Sequence, residues 1–289
     1  MAKQTSGHKG RGKRLLVSAA LVLLTAGFVW WGNTDLLTER FTFASPRLPA
    51  PFAGFRIVQL SDLHETEFGK DNGRLFAAVK EENPDIIALT GDLVDRFRGK
   101  NLDFVDQVAR GLTAIAPTYF VTGNHEWAVG DVPELKERLE AQGVQVLSND
   151  YVPLERDGAT IFLAGVDDPN GYADQKSPEE VAAALYAKEG EDAFWLLLAH
   201  RNDRFETQYS RLGADLTLSG HGHGGVIRLP FTDGLLSTDR TFFPTCTAGF
   251  YTAGDQDAPV FVSRGLGNSG PLLRLFNRPE VAVLTLERP

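Results

Sequence analysis

The chain has 289 residues, 43% of them hydrophobic and 23% charged, which is too apolar for a disordered polymer and enough to bury one large core or two small ones. Its single cysteine, Cys246, excludes an intrachain disulfide and any zinc site built on paired cysteines, so a metal would have to sit on His, Asp, Glu or Asn. The net charge is -9, but Lys3, Lys9, Arg11, Lys13 and Arg14 precede any acid, and the remainder, with 24 basic and 38 acidic side chains, carries -14; so acidic a body argues against a nucleic-acid groove, because that binding is driven by Lys and Arg neutralising phosphates.

The first predicted element is an anchor. No residue from Leu15 to Thr34 is charged, and residues 15–31 are apolar apart from Ser18, Thr25 and Gly27. At about 1.5 Å per residue they fall a little short of the ~30 Å core of a bilayer. Trp30 and Trp31 close the run where an aromatic belt would lie. The basic residues 1–14 predict a cytoplasmic tail, which leaves the acidic body outside a bacterial cytoplasmic membrane. A cleaved signal peptide is the competing reading, but no A-x-A cleavage pattern follows the apolar run. Residues 32–55, with Pro46, Pro49 and Pro51, predict an irregular tether, since each proline removes a backbone donor. A single domain is expected over 56–289.

Within that domain, short apolar runs at 56–60, 85–89, 118–121, 161–164, 194–198 and 215–218 have strand length, and their lack of alternation predicts strands covered on both faces. Stretches 72–82, 104–115, 133–142 and 178–188 have helical composition, and two of them open with proline, which suits a first turn. Strand followed by helix, repeated, is an α/β pattern. After Gly224 the chain turns to Gly, Pro and Thr clusters with runs at 260–262 and 281–286, which predicts strands and loops completing the same domain.

Polar residues collect where the predicted strands end. Ser61-Asp62-Leu63-His64 follows the first, Gly91-Asp92-Leu93-Val94-Asp95-Arg96 the second and Gly123-Asn124-His125-Glu126 the third; Ala199-His200 and Gly220-His221-Gly222-His223 come later. Five of the six histidines lie at such ends, where ligands of open α/β sheets bind. Asp62, His64, Asp92, Asn124, His200, His221 and His223 offer oxygen and imidazole nitrogen without thiolate, a set suited to Mn, Fe, Zn or Mg. Seven groups exceed the needs of one ion and would serve two if a carboxylate bridged them. A two-metal site of that kind activates a water and clamps the oxygens of a phosphoryl displacement. Glycines at 91, 123, 220 and 222 are expected to let the backbone turn sharply beside the ions.

Taken in order, D-x-H, G-D-x-x-D-R, G-N-H-E, a lone His after a strand and G-H-x-H resemble the calcineurin-like metallophosphoesterases over residues 56–223. The resemblance implies two β-sheets packed face to face with helices outside. It implies that Asp62, His64, Asp92 and His223 hold one divalent ion, and Asp92, Asn124, His200 and His221 a second. His125 would protonate the leaving oxygen, oriented by Asp95, with Arg96 touching phosphate. The tail, with Gly224-Gly225-Val226-Ile227-Arg228-Leu229-Pro230, Val262-Ser263-Arg264-Gly265-Leu266-Gly267 and Arg278-Pro279-Glu280-Val281, is similar to the membrane-anchored bacterial branch of that family, some of whose members hydrolyse UDP-diacylglucosamine, a lipid A precursor. Gly222, Val226 and the pair Arg201-Asn202 stand where that branch usually has Thr, Gln and a proline after the histidine. The activity implied is hydrolysis of a phosphodiester or pyrophosphate, with in-line attack on phosphorus by a metal-held hydroxide. The alternative is a phosphoesterase-like binding module of the cell envelope.

Four features have a plainer reading. Glu126 has little claim as a base, and Asp95 has an equal claim as an ordinary helix-capping carboxylate. Gly265-x-Gly267-x-x-Gly270 matches a dinucleotide fingerprint, but Pro271 follows at once and only 19 residues remain, so a glycine-rich loop at the site's rim is expected. Leu272, Leu273, Leu275 and Phe276 around Arg274 are expected in the core rather than as a lip facing lipid.

Overall fold

The computed structural model describes residues 7–229, 231–238, 240–254, 258–270 and 273–289, with side chains from position 12 onward. Lys3 and the side chains of Lys9 and Arg11, from the expected basic tail, lie outside the described residues, as do Pro230, Pro271 and Leu272. Helix α1 runs Gly7–Thr34. Its portion Gly12–Thr34, 23 residues, is long and apolar enough to cross a membrane, and at about 1.5 Å per residue it extends to ~35 Å.

The remaining elements follow as β1 (Leu37–Ala44), β2 (Phe55–Leu60), α2 (Gly73–Glu81), β3 (Ile86–Leu89), α3 (Leu102–Thr113), β4 (Thr118–Phe120), α4 (Asn124–Val129), α5 (Val132–Ala141), β5 (Gln145–Val146), β6 (Asp150–Arg156), β7 (Ala159–Val166), α6 (Pro178–Glu189), β8 (Trp195–Arg201), β9 (Leu216–Gly220), β10 (Gly249–Thr252), β11 (Pro259–Val262) and β12 (Glu280–Glu287). They form two six-stranded sheets, ordered β1-β12-β2-β3-β4-β5 and β10-β11-β9-β8-β7-β6. Strands β2, β3, β4 and β5 run parallel in the first, and β7, β8, β9 and β11 in the second.

The non-alternating runs are explained by burial on both faces. In β2, Ile57 joins the core between the sheets, while Val58 and Leu60 join the core under α2, α3 and α5. In β8, Leu196 and Leu198 face the opposite sheet, and Trp195, Leu197 and Ala199 pack with α6 residues Val181 and Leu185. The result is an α/β sandwich, helices outside and two sheets within, as expected. The C-terminal part completes the same unit, since β12 sits between β1 and β2.

The expected tether over 32–55 needs correction. Residues 37–44 are not irregular: β1 pairs in parallel with β12 from Leu37 opposite Glu280 to Ala44 opposite Glu287. Phe41 packs on Phe261 and Phe43 stacks on Phe250, and Phe43 is buried between the sheets. The partner strand lies more than 200 residues away, so nothing local marked this segment, and the prolines at 46, 49 and 51 follow the strand rather than prevent it.

Candidate metal centre

Every strand that carries a candidate ligand ends at the same edge of the sandwich. Asp62 and His64 follow β2, Asp92 follows β3, Asn124 opens α4 after β4, His200 lies near the end of β8, and His221 and His223 follow β9. Seven residues on five segments of chain are thereby brought into two groups. Asp62, His64 and His223 present ligand atoms within 4.8 Å of one another, and so do Asp92, His200 and His221. Asn124 joins the second group, its Oδ1 lying 3.3 Å from His200 Nε2. Asp92 links the two: its Oδ2 is 3.7 Å from His64 Nε2 and 3.3 Å from His200 Nε2.

The backbone is contorted to achieve this. Asp62, His64, Asp92, His221 and His223 all have positive φ, between 46° and 64°. Non-glycine residues there cost on the order of 1 kcal/mol or more each, and such strain gathers at functional sites. The glycines act otherwise than expected. Of the four beside the ligands only Gly91 has positive φ, at 90°. Gly220 is needed for room, since a Cβ there would collide with Ser61 Oγ and come within 2.6 Å of Asp62 Oδ2.

Two histidines are oriented from behind. His64 Nδ1 lies 3.3 Å from the Val94 carbonyl and His200 Nδ1 2.7 Å from the Thr90 carbonyl. A carbonyl can only accept, so Nδ1 carries a proton and Nε2 is the nitrogen left facing inward, the arrangement that backbone carbonyls impose on metal-binding imidazoles. Inward, His64 Nε2 meets His223 Nε2 at 3.0 Å. Asp62 accepts the His221 amide on both oxygens at 3.1 Å and lies 3.3 Å from His223 Nε2.

Charge makes the same point. Burial lifts Asp62 to about 6, and burial lowers His64 to about 4 and His221 to about 3, the latter also repelled by a charged His200. His200 goes the other way: burial opposes its charge, but Asp92, then Asp62 and Asp168, raise it to about 10. Asp92, despite its burial, is held well below the usual carboxylate range by His200, His64 and His125. A proton on His200 thus balances buried carboxylates at a place where a divalent cation would do so with more charge. Oxygen and inward nitrogen donors, two foci and a shared carboxylate fit a pair of hard or borderline divalent ions.

The other predicted site residues lie beside these groups. His125 Nδ1 accepts the Arg96 amide at 3.0 Å and lies 3.4 Å from Asp95 Oδ1, and its Nε2 is 3.5 Å from Ser269 Oγ. Asp95 caps no helix, since α3 begins only at Leu102 and is capped by Asn101; its carboxylate accepts Phe97 N–H at 3.1 Å and Gly270 N–H at 3.4 Å. Arg96 is exposed, stacks on Phe97 and faces a cleft of about 520 Å³ over the two groups. Arg201 and Arg240 face the same cleft. The glycine-rich loop is at the rim as expected, where Gly265 packs against Asp62.

Two residues exceed their sequence reading. Glu126 is fully buried and accepts four backbone N–H groups, from Gly123 at 2.6 Å, Leu93 at 2.7 Å, Asp92 at 2.9 Å and Val94 at 3.3 Å. It ties the loop after β3 to the loop after β4. Its position one residue after a histidine in G-N-H-E was the only local signal. Arg274 is the second. The expectation of a core made by its apolar neighbours fails, because Leu273 is 55% and Phe276 65% exposed while Arg274 itself is 1% exposed. Its guanidinium donates to the carbonyls of Arg264 at 2.8 Å and Gly267 at 2.7 Å and lies 3.2 Å from His223 Nδ1. A buried guanidinium needs several acceptors, and the turn of the glycine-rich loop supplies them.

Residues 55–225, more than half of the chain, match the family model for the calcineurin-like phosphoesterases. The Bacillus subtilis metallophosphoesterase YkuE is 31% identical over 257 residues, covering 86% of this chain and 85% of its own. The Escherichia coli phosphodiesterase YaeI is 29% identical over 287 residues, covering 96% and 98%. Among solved structures, the Haemophilus influenzae NAD nucleotidase shares the fold with a TM-score of 0.50 at 17% identity, over 73% of this chain and 46% of that one. The chain belongs to the calcineurin-like metallophosphoesterases and is a phosphoester hydrolase.

Replacing Glu126 with Ala should strand four buried amide donors and lower stability by at least about 2 kcal/mol. A urea denaturation midpoint unchanged from the parent would show that the clamp contributes nothing.

Proposed function

We propose that the chain is a membrane-tethered phosphodiesterase or pyrophosphatase working with two divalent ions, one held by Asp62, His64, Asp92 and His223 and the other by Asp92, Asn124, His200 and His221. The observation that carries this reading is the position of Asp92 Oδ2, between His64 at 3.7 Å and His200 at 3.3 Å, where one carboxylate serves both groups. When bound, such a pair supplies an activated water and offsets the charge of phosphoryl oxygens. The chain's own residues supply the rest.

His125 is the proton donor in this reading. The Arg96 amide occupies Nδ1, which leaves the proton on Nε2, the atom on the cleft side near Ser269. Burial lowers the His125 pKa, so the ring gives up its proton more readily, while Asp92 and then Asp95, at 3.4 Å from Nδ1, oppose that shift, and the Asp95 bonds to Phe97 and Gly270 keep it in place. Arg96, with Arg201 and Arg240 around the cleft, favours a substrate carrying more than one negative charge. A lipid-linked or nucleotide-sugar phosphoester such as UDP-diacylglucosamine has that character. Helix α1 is taken as an uncleaved signal anchor at residues 15–31, with residues 56–289 as the catalytic domain, now begun at Leu37 to include β1.

Asp92→Ala should abolish metal binding and turnover of bis(p-nitrophenyl) phosphate together, whereas His125→Ala should retain both ions and lose rate mainly with poor leaving groups. Turnover by the Asp92→Ala protein would sink the reading, and a metal-loaded parent without turnover would leave a binding module instead. Because His200 holds its proton to about 10 without metal, uptake of an ion below that pH must expel it. Mn(II) affinity should then rise with pH, by roughly two orders of magnitude from pH 6 to 8 for one displaced proton; calorimetry in buffers of different ionisation enthalpy would reveal no proton release if this is wrong. The basic residues ahead of the apolar stretch of α1 favour a domain outside the cytoplasm. External protease should therefore digest it on intact spheroplasts; protection would assign it to the cytoplasmic face, where nucleotide-linked substrates are available.

A further inference from the structure

The end of α1 is bonded to the rim of the cleft. Asn33 Oδ1 accepts the Arg274 amide at 2.8 Å and the Asn268 side chain at 2.8 Å, and its Nδ2 donates to the Arg274 carbonyl at 3.0 Å. Asp35 pairs with Arg278 at 2.5 Å, and the Arg278 guanidinium lies 5.0 Å from the Trp31 ring centre. The rim therefore has a defined height relative to the helix.

That height sets apolar groups of the loop alongside the helix. The Phe276 ring packs on Phe28 with centres 5.3 Å apart. Phe28 lies six residues before the helix ends at Thr34, about 9 Å back along its axis. Leu273 and Phe276 are exposed on this loop, although the arginine between them, Arg274, is turned inward against the site. An exposed charge would resist entry to a bilayer, and here it is withdrawn. Isolated β-bridges extend the same surface, joining Leu275 to Ile227, Ile227 to Leu236 and Leu236 to Phe242, and Phe242 and Phe243 are exposed at 68% and 64%. Thr238 and Arg240, between Leu236 and Phe242 in the chain, line the cleft.

We propose that the loop bearing Leu273 and Phe276 is a wedge that enters the bilayer beside α1 and seats the mouth of the cleft at the lipid surface. The partner is the bilayer itself. Phosphoesters would reach the site along the headgroup plane, with the apolar part of a lipid-linked substrate left in the membrane. This rests on α1 being the anchor proposed above. Exposed apolar groups of this size mark an interaction surface, and continuity with a membrane-crossing helix identifies which one.

The test uses the full chain with Cys246→Ser, reconstituted in vesicles of phosphatidylethanolamine and phosphatidylglycerol, carrying a nitroxide on one introduced cysteine at a time: Phe276→Cys, Leu23→Cys within the helix, and Tyr172→Cys on the exposed surface beside Trp127. Retained hydrolysis of bis(p-nitrophenyl) phosphate confirms folding of each labelled protein. Relaxation by oxygen should exceed relaxation by a water-soluble nickel chelate several-fold at 276 and 23, and the order should reverse at 172. A label at 276 that follows 172 while 23 remains lipid-buried overturns the wedge and leaves the anchor intact. Spin–spin broadening at 276 would show a second copy covering the loop and would also overturn it. A water-exposed label at 23 would remove the anchor, and the wedge with it.

Discussion

A carboxylate buried between two sets of imidazoles is the constraint around which this molecule is arranged. Asp92 is 2% exposed, and an isolated charge so placed would be intolerable, so the fold surrounds it with compensation. His200, His64 and His125 approach its oxygens or hold it ionised, and the His125 amide donates to Oδ1 at 2.8 Å. Three of the strands in one sheet and two in the other must stop at the same edge for this to happen. The sandwich is a means of delivering short loops from both sheets to one point.

Holding that point requires strain and a counterweight. Five candidate ligands sit in left-handed backbone, which no local preference of Asp or His would select over a whole set. Glu126 offsets the cost by gathering four amides from two loops into a single carboxylate. Arg274 does the same on the opposite side, drawing the glycine-rich loop onto His223. Neither residue need touch substrate for the site to depend on it. Preorganisation of this kind is what allows charge stabilisation without rearrangement during reaction.

The apolar helix α1 is not an appendage on a flexible lead. β1 is an edge strand of the first sheet, and Asn33 and Asp35, flanking the last residue of α1, are bonded to the loop that shapes the cleft. Orientation of the catalytic edge toward the helix axis follows from these contacts. A domain tethered by irregular chain would sample all orientations, whereas this one presents a single face.

Strand ends, candidate ligand types, helix positions and the apolar N-terminal helix were legible in the sequence because each is a short-range pattern: four to six apolar residues, a D-x-H, a G-H-x-H, a run without charge. The resemblance of those motifs in order supplied the pairing of sheets. What escaped was set by contacts between distant residues. β1 exists because β12, more than 200 positions later, offers it an edge. Glu126 and Arg274 gained their roles because amides and carbonyls from other loops surround them once the chain is folded, and burial of Arg274 forced Leu273 and Phe276 outward. The sequence by itself determined which atoms are available to bind metal and where strands break; only the tertiary structure decided which of those atoms meet, since a meeting between loops is a property of sheet register and not of neighbouring residues.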